Sequence, residues 1–195
     1  MVSTEPKQCI IPIHRPTSRE MLFFFLCGVI MSISITFFIS SLLEPTLVGL
    51  PALSAEVIFI AVFPGFIEEF SKIFPLYYRH AETQRSILNL AIMVGLGFAI
   101  VELFEYVLLM GTPVIVRIPG LFFHPATTTI SAYGIVTKRP LPFYLLAASL
   151  HFSTNLFAIL TPFPFSLQFI FIAITIYLAY SFYNRSKEKP IAWYC

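Results

Sequence analysis

The sequence has no aspartate, and charged residues of any kind make up only 11% of its 195 residues. Apolar residue types make up 57%, and the mean hydropathy is +0.84. Because a soluble domain is about half apolar and about a quarter charged, a small soluble domain and a disordered chain are poor interpretations. The net charge of +2 indicates no polyanionic partner such as nucleic acid. The composition instead predicts an integral membrane protein in contact with the lipid bilayer.

Cysteine is also scarce and widely scattered, at Cys9, Cys27 and Cys195. No two of the three have the C-x-x-C spacing of a thiolate metal site. An odd number of distant cysteines also predicts no disulfide framework.

Long apolar runs divide the chain into six candidate membrane spans. Each is close to the roughly 20 residues that a helix needs to cross the hydrocarbon core. Each must be helical, because backbone polar groups in lipid have to be hydrogen-bonded within the chain. We therefore predict an all-α, polytopic membrane helix bundle of about six transmembrane helices. The spans are Met21–Leu43, Ser54–Leu76, Ile87–Met110, Val114–Thr137, Leu141–Leu160 and Phe163–Tyr183.

Basic residues are concentrated in the two tails and in the loops after the second and fourth spans. The positive-inside rule then places both termini in the cytoplasm. We expect a cytoplasmic N-terminal tail over 1–20, a transmembrane domain over 21–183 and a cytoplasmic C-terminal tail over 184–195. The basic residues on this side are Lys7, Arg15, Arg19, Arg79, Arg85, Lys138, Arg139, Arg185, Lys187 and Lys189.

Ionisable side chains inside the predicted spans are the main indication of function. Each charge there costs about 2.5–3.5 kcal/mol on insertion and points to function by default. At 1.5 Å per residue, most of their depths fall within one layer roughly 10–15 Å thick. Four spans contribute, so we expect one shared site. The residues are Glu68, Glu69, Lys72, Glu102, Glu105, His124 and His151, with Asn155 one turn beyond His151.

Local spacing adds detail to this layer. Lys72 follows Glu68 by four residues and Glu69 by three, so it can reach either carboxylate on the helix surface. Arg117 is expected to lie at the membrane interface. A stripe of small residues in the third span predicts close contact with a neighbouring helix, and its members are Ala91, Gly95 and Ala99.

Several protease chemistries are excluded by what the sequence lacks. An aspartyl mechanism needs two aspartates, and neither an H-E-x-x-H zinc motif nor a G-x-S-x-G nucleophile motif occurs. What remains is a set of glutamates and histidines. Such a set can perform general acid–base catalysis or hold a metal such as Zn²⁺, and the residues alone do not separate the two.

Four motifs, in order on four successive spans, resemble those of the PrsW family of intramembrane proteases, which are relatives of the CAAX-prenyl and bacteriocin-processing proteases. The family often has Asn directly after the glutamate of the second motif, and this chain has Leu103. The motifs are E-E-x-x-K at Glu68, Glu69 and Lys72, G-x-G-F-A-x-x-E from Gly95 to Glu102, an arginine before a histidine-bearing helix at Arg117 and His124, and H-x-x-x-N at His151 and Asn155.

The resemblance implies peptide-bond hydrolysis within a prokaryotic cell membrane, on single-span membrane proteins such as anti-sigma factors. The implied catalytic residues are Glu68 or Glu69, which would activate water, and His124 and His151, which would bind water, a metal or the oxyanion. The implied supporting residues are Lys72 and Glu102, which would orient the site, and Asn155, which would donate to the oxyanion. A divalent metal such as Zn²⁺ would be held by Glu69, His124 and His151.

Two other functions remain open from the residues alone. Chains of glutamate and histidine also carry protons, so a proton- or cation-coupled transporter or channel is one alternative. The absence of an evident internal repeat argues against it. A catalytically inactive membrane scaffold is the other.

Overall fold

A computed structural model describes residues 15–78, 83–161 and 166–188, and these residues contain helices and no strand. The all-α class is therefore confirmed for this part of the chain. Most of the two predicted tails, and the start of the sixth predicted span at Phe163, lie outside it. The described helices are α1 at Ser18–Leu47, α2 at 52–78, α3 at Gln84–Leu109, α4 at Gly120–Val136, α5 at Pro140–Leu160 and α6 at Gln168–Arg185.

Three of these helices, α1, α3 and α5, are long and apolar enough to cross a membrane. Helix α4 has only 17 residues, and α6 ends on the polar pair Asn184 and Arg185. Six membrane crossings and cytoplasmic termini therefore remain predictions. Helix α2 is the most highly charged of the six and carries Glu56, Glu68, Glu69 and Lys72.

The fourth predicted span is not one continuous helix. A short helix at Val114–Arg117 is followed by a break, and α4 begins at Gly120. Pro119 has no N–H and cannot extend the short helix by donating to a carbonyl of the preceding turn.

Helix α4 is the centre of the bundle. Twelve of its 17 residues are buried, and it packs against α2, α3, α5 and α6. Any polar side chain on α4 therefore faces other helices, which is where an ionisable group in a membrane finds a partner.

Glycines set two of the closest helix contacts. A Cβ atom on Gly95 of α3 would lie 2.6 Å from Cα of Pro125 in α4, and Ala91 and Ala99 on the same stripe are buried. The predicted small-residue contact is thus confirmed. A second contact joins α1 to α3, where a Cβ on Gly28 would collide with the Val94 carbonyl oxygen. The pattern of small residues in the sequence did not predict this contact between α1 and α3.

The start of α3 and the end of α6 meet at one end of the bundle. Arg85 donates from Nε to Ser186 Oγ at 2.7 Å and from Nη2 to the Ser186 carbonyl at 2.9 Å. The Tyr183 hydroxyl donates to Asn89 Oδ1 at 2.9 Å. Because α3, α4, α5 and α6 alternate in direction, the end of α6 returns to the same end of the bundle as the start of α3.

Candidate active site

Lys72 joins α2 to α4 through a fully buried ammonium group. It donates to Glu69 Oε1 at 2.6 Å, to His124 Nδ1 at 3.1 Å and to Thr127 Oγ1 at 3.3 Å. A lysine ammonium has three hydrogens, so all three have a partner. Glu69 is also fully buried, which makes this a compact, internally paired group.

His124 connects Lys72 to α3. A lysine ammonium can only donate, so Nδ1 of His124 accepts and its hydrogen lies on Nε2. This Nε2–H donates to Glu102 Oε2 at 2.6 Å. The ring is therefore fixed at both nitrogens.

Arg117 lies inside the network, whereas the sequence analysis expected it at the membrane interface. Its Nη2 is 2.7 Å from Glu102 Oε1, and its guanidinium lies over the Tyr106 ring at 3.7 Å from the centroid. The break before α4 carries Arg117 on a separate short helix, which allows it to turn towards Glu102. The sequence analysis did not assign Arg117 this partner.

His151 of α5 completes the cluster from the other side. A carboxylate accepts, so His151 Nδ1–H donates to Glu69 Oε1 at 2.8 Å. In the neutral ring Nε2 then keeps its lone pair, and it faces Glu68 Oε2 at 3.7 Å. Glu68 Oε2 and Glu69 Oε2 are both buried, and neither accepts a hydrogen bond within the part of the chain that the structure describes.

Phenylalanine rings hold the two imidazoles in place. Phe123 packs edge-on against both rings, with centroids 5.5 Å from His124 and 5.2 Å from His151. The two imidazole centroids are themselves 5.3 Å apart. The rings are therefore oriented by packing as well as by hydrogen bonds.

Asn155 contacts α2 rather than the cluster. Its Nδ2 donates to the Ile60 carbonyl at 3.0 Å. Pro64, four residues after Ile60, has no N–H, so this carbonyl lacks its usual α-helical donor. In the structure Asn155 thus joins two helices at a point where the backbone needs a donor.

The sequence model of PrsW family intramembrane metalloproteases matches residues 16–181. The chain belongs to the PrsW family. It is therefore a hydrolase, an intramembrane protease, and an integral membrane protein. Comparisons with curated proteins and with solved structures gave no match.

The donor set fits the metal that PrsW family membership implies. Glu68, His124 and His151 can each offer one ligand atom, and these atoms lie within 4.8 Å of one another. Carboxylate and imidazole are common ligands of Zn²⁺. The His151–Glu69 hydrogen bond is the kind of outer contact that orients a ligating histidine. Coordination by His124 would replace one of its two hydrogen bonds.

The carboxylate in this set is Glu68, whereas the sequence analysis named Glu69. Glu69 Oε1 already accepts from Lys72 and His151. Sequence spacing could not distinguish neighbouring glutamates, because either one can meet Lys72 within a helix turn.

A small cavity of about 40 Å³ borders the cluster next to His124 and His151. Its lining also includes Glu102, Arg117 and Asn155. One water molecule needs a cavity volume of roughly 10–15 Å³, so this cavity has room for about three. The structure thus brings together the predicted residues Glu68, Glu69, Lys72, Glu102, His124 and His151, while Glu105 makes no ion pair within the described part of the chain.

Proposed function

We propose that this PrsW protein is an endopeptidase that cleaves membrane-associated proteins within the bilayer at the Glu68, Glu69, His124 and His151 cluster. The observation that carries the proposal is Glu68 Oε2, which is buried, accepts no hydrogen bond from the described residues and faces His151 Nε2 at 3.7 Å. A buried carboxylate oxygen left without a partner is costly, so it indicates a group that binds there.

The charges of the layer support a bound cation. Glu68, Glu69 and Glu102 contribute three negative charges when ionised, and Lys72 and Arg117 offset two of them through the observed ion pairs. The negative charge that remains lies where ions are expensive to leave unpaired. Glu68, His124 and His151 would hold a divalent metal such as Zn²⁺. When bound, it would polarise the scissile carbonyl and lower the pKa of water.

Glu69 is the proposed general base. Lys72 and His151 hold its Oε1 and leave Oε2 free. A carboxylate fixed in this way can take a proton from the attacking water and pass it to the leaving amine. Lys72 and Glu102 are positioning residues, because they orient Glu69 and His124.

Asn155 is the proposed donor to the oxyanion. Its amide has two hydrogens, and one of them is used by the Ile60 carbonyl. Asn155 borders the same small cavity as His151, so the second hydrogen is available to a developing negative charge there. Such a donor contributes about 3 kcal/mol to catalysis.

Cleavage of a membrane-spanning peptide by the purified protein in liposomes tests the proposal. We expect Glu68→Gln, Glu69→Gln, His124→Ala and His151→Ala each to lower kcat/KM at least about 100-fold. Glu56→Gln is the matched control, because Glu56 lies on the same helix, is exposed and should leave the rate unchanged. Parent-like cleavage by any of the four site variants would overturn the assignment.

Metal content separates the two glutamates. Glu68→Gln, His124→Ala and His151→Ala should lose the bound metal, whereas Glu69→Gln should keep it and lose activity. A chelator should abolish cleavage, and added Zn²⁺ should restore it. Full activity of metal-free protein would overturn the metal assignment and leave only a glutamate base.

We also propose that the substrates are single-span membrane proteins of the anti-sigma type and that the protein is a multi-pass protein of a prokaryotic cell membrane. Support comes from PrsW membership and from the six helices of the described chain. Ion flux in liposomes without any proteolysis would instead favour a transporter.

A further inference from the structure

Several apolar grooves open on the described surface of the bundle, and of the two that flank α3 only one reaches the active site. The first, of about 300 Å³, lies between α1, α2 and α3 and is bordered by Glu68 and Glu102. The second, of about 440 Å³, lies between α3, α4 and α6 and includes Ile176 and Tyr180. No carboxylate or imidazole lines the second groove. Size alone would favour the second groove, but only the first offers contact with the reacting groups.

The walls of the first groove suit an apolar polypeptide segment. Phe37, Phe59 and Met110 line it and are 57%, 44% and 60% exposed. Thr36 and Ser40 add hydroxyl groups on the α1 wall. Apolar walls with a few polar groups can bind side chains and still hydrogen-bond to an unwound backbone.

Helix α1 is held firmly on one side of this groove only. Its first half meets α3 closely, at Gly28 against Val94 and at Gly97 against Phe25. Its second half, Ile33–Leu43, contains no buried residue. The Thr36 hydroxyl lies 3.0 Å from Ser71 Oγ, and beyond Thr36 no side-chain hydrogen bond joins α1 to another helix within the described chain.

A π-helical turn at Gly28–Ser32 separates the two halves of α1. Such wide turns are common at functional sites and can bend a helix. The second half of α1 can therefore move away from α3 without unpacking the buried core.

We propose that an apolar, membrane-spanning segment of the substrate enters between α1 and α3 through the first groove, and that the second half of α1 moves to admit it. This inference rests on the proposed protease function. Glu68 is reached from the groove, while the small cavity beside His124 and His151 has room for water. Both spaces border Glu102, so substrate and water approach the same site through different openings.

Photocross-linking in the full-length protein tests the entry route. A benzophenone amino acid replaces Phe37 in the first groove or Tyr180 in the second, each in the Glu69→Gln background that should bind substrate without cleaving it. We expect a membrane-spanning peptide to cross-link at least tenfold more strongly from position 37 than from position 180. Equal or stronger peptide cross-linking from position 180, or cross-links from position 37 to lipid alone, would overturn the proposal.

A matched pair of bulky substitutions gives a second readout in the active protein. Ser40→Trp should obstruct the first groove and lower kcat/KM for the membrane-spanning peptide at least tenfold. Ile176→Trp adds a bulky side chain to the second groove instead. It should change kcat/KM for the same peptide less than twofold. Cleavage that survives Glu68→Gln would defeat the proposed protease site, whereas cleavage that depends on Glu68 but tolerates Ser40→Trp would defeat the entry route alone.

Discussion

Lys72 is the residue on which the geometry of the site depends most directly. Its three hydrogen bonds tie Glu69 on its own helix to His124 and Thr127 on α4. A buried ion pair of this kind adds little net stability compared with an apolar pair, but removing one partner leaves an uncompensated charge. The carboxylate of Glu69 would then keep its hydrogen bond from His151 but lose the positive charge beside it.

Lys72→Met should therefore lower the free energy of unfolding by about 3–5 kcal/mol, measured by denaturation in detergent. The double variant Lys72→Met/Glu69→Gln should recover most of this loss, because neither charge then remains. Lys187→Met is the control, because Lys187 is exposed. This substitution should change the free energy of unfolding by no more than about 0.5 kcal/mol. Equal destabilisation of the single and double variants would contradict the ion-pair explanation.

Asn155 has two proposed roles that a double-mutant cycle can separate. Asn155→Leu should lower the stability by about 1 kcal/mol, because the Ile60 carbonyl loses its donor. In a Pro64→Ala background the helix supplies its own N–H, so the stability cost should largely disappear.

The catalytic role of Asn155 should not depend on that background. Loss of an oxyanion donor lowers kcat by about 100- to 1,000-fold, and we expect this with Pro64 or Ala at position 64. A kcat within a few-fold of the parent would show that Asn155 only joins helices.

At the scale of the helices, the distance between α3 and α4 sets the position of His124. Gly95 faces the backbone of His124 and Pro125, and a Cβ atom there would lie 2.7 Å from the His124 carbonyl oxygen. Backbone atoms at this distance cannot move aside separately, so α4 itself would have to shift.

Gly95→Ala should accordingly lower kcat/KM about 100-fold, because a displacement near 1 Å is enough to cause such a loss. Gly120→Ala makes the same chemical change in α4, but its Cβ would make only ordinary contacts, at 3.8 Å from both Glu102 Oε2 and His124 Cδ2. That control leaves the helix in place and should lower kcat/KM far less than Gly95→Ala. Similar rates for both variants would mean that the α3–α4 contact does not position the site.

Sequence alone could predict the apolar helices and most of the residues that the structure brings together, because charges inside apolar runs are few and each has a physical cost. It could not predict the contact between Gly28 and α3, since sequence periodicity does not say which helices become neighbours. It also missed the inward position of Arg117, which depends on a helix break at Pro119. The roles of Glu68 and Glu69 could be distinguished only by the residues that each contacts in the folded protein.

At the scale of the whole molecule, the six helices alternate in direction, with the start of α3 beside the end of α6. If each helix crosses the membrane, the loop after α3 and the loop after α4 must lie on opposite sides. The distribution of basic residues predicts the second of these to be cytoplasmic.

Cysteine labelling in intact cells checks this prediction. In a variant that lacks Cys9, Cys27 and Cys195, Thr112→Cys should react with a membrane-impermeant maleimide added outside. Arg139→Cys should react only after the membrane is permeabilised. Labelling of both positions from the same side would contradict a crossing by α4.

The position of the charges on α2 has a consequence for how the protein is made. When α2 leaves the ribosome, Lys72 can pair within the helix with either Glu69 or Glu68, but one lysine cannot offset both carboxylates. His124 and His151 belong to α4 and α5, which are synthesised later. Stable insertion of α2 therefore depends on helices that follow it, so the residues of the proposed site also couple the insertion of α2 to that of α4 and α5.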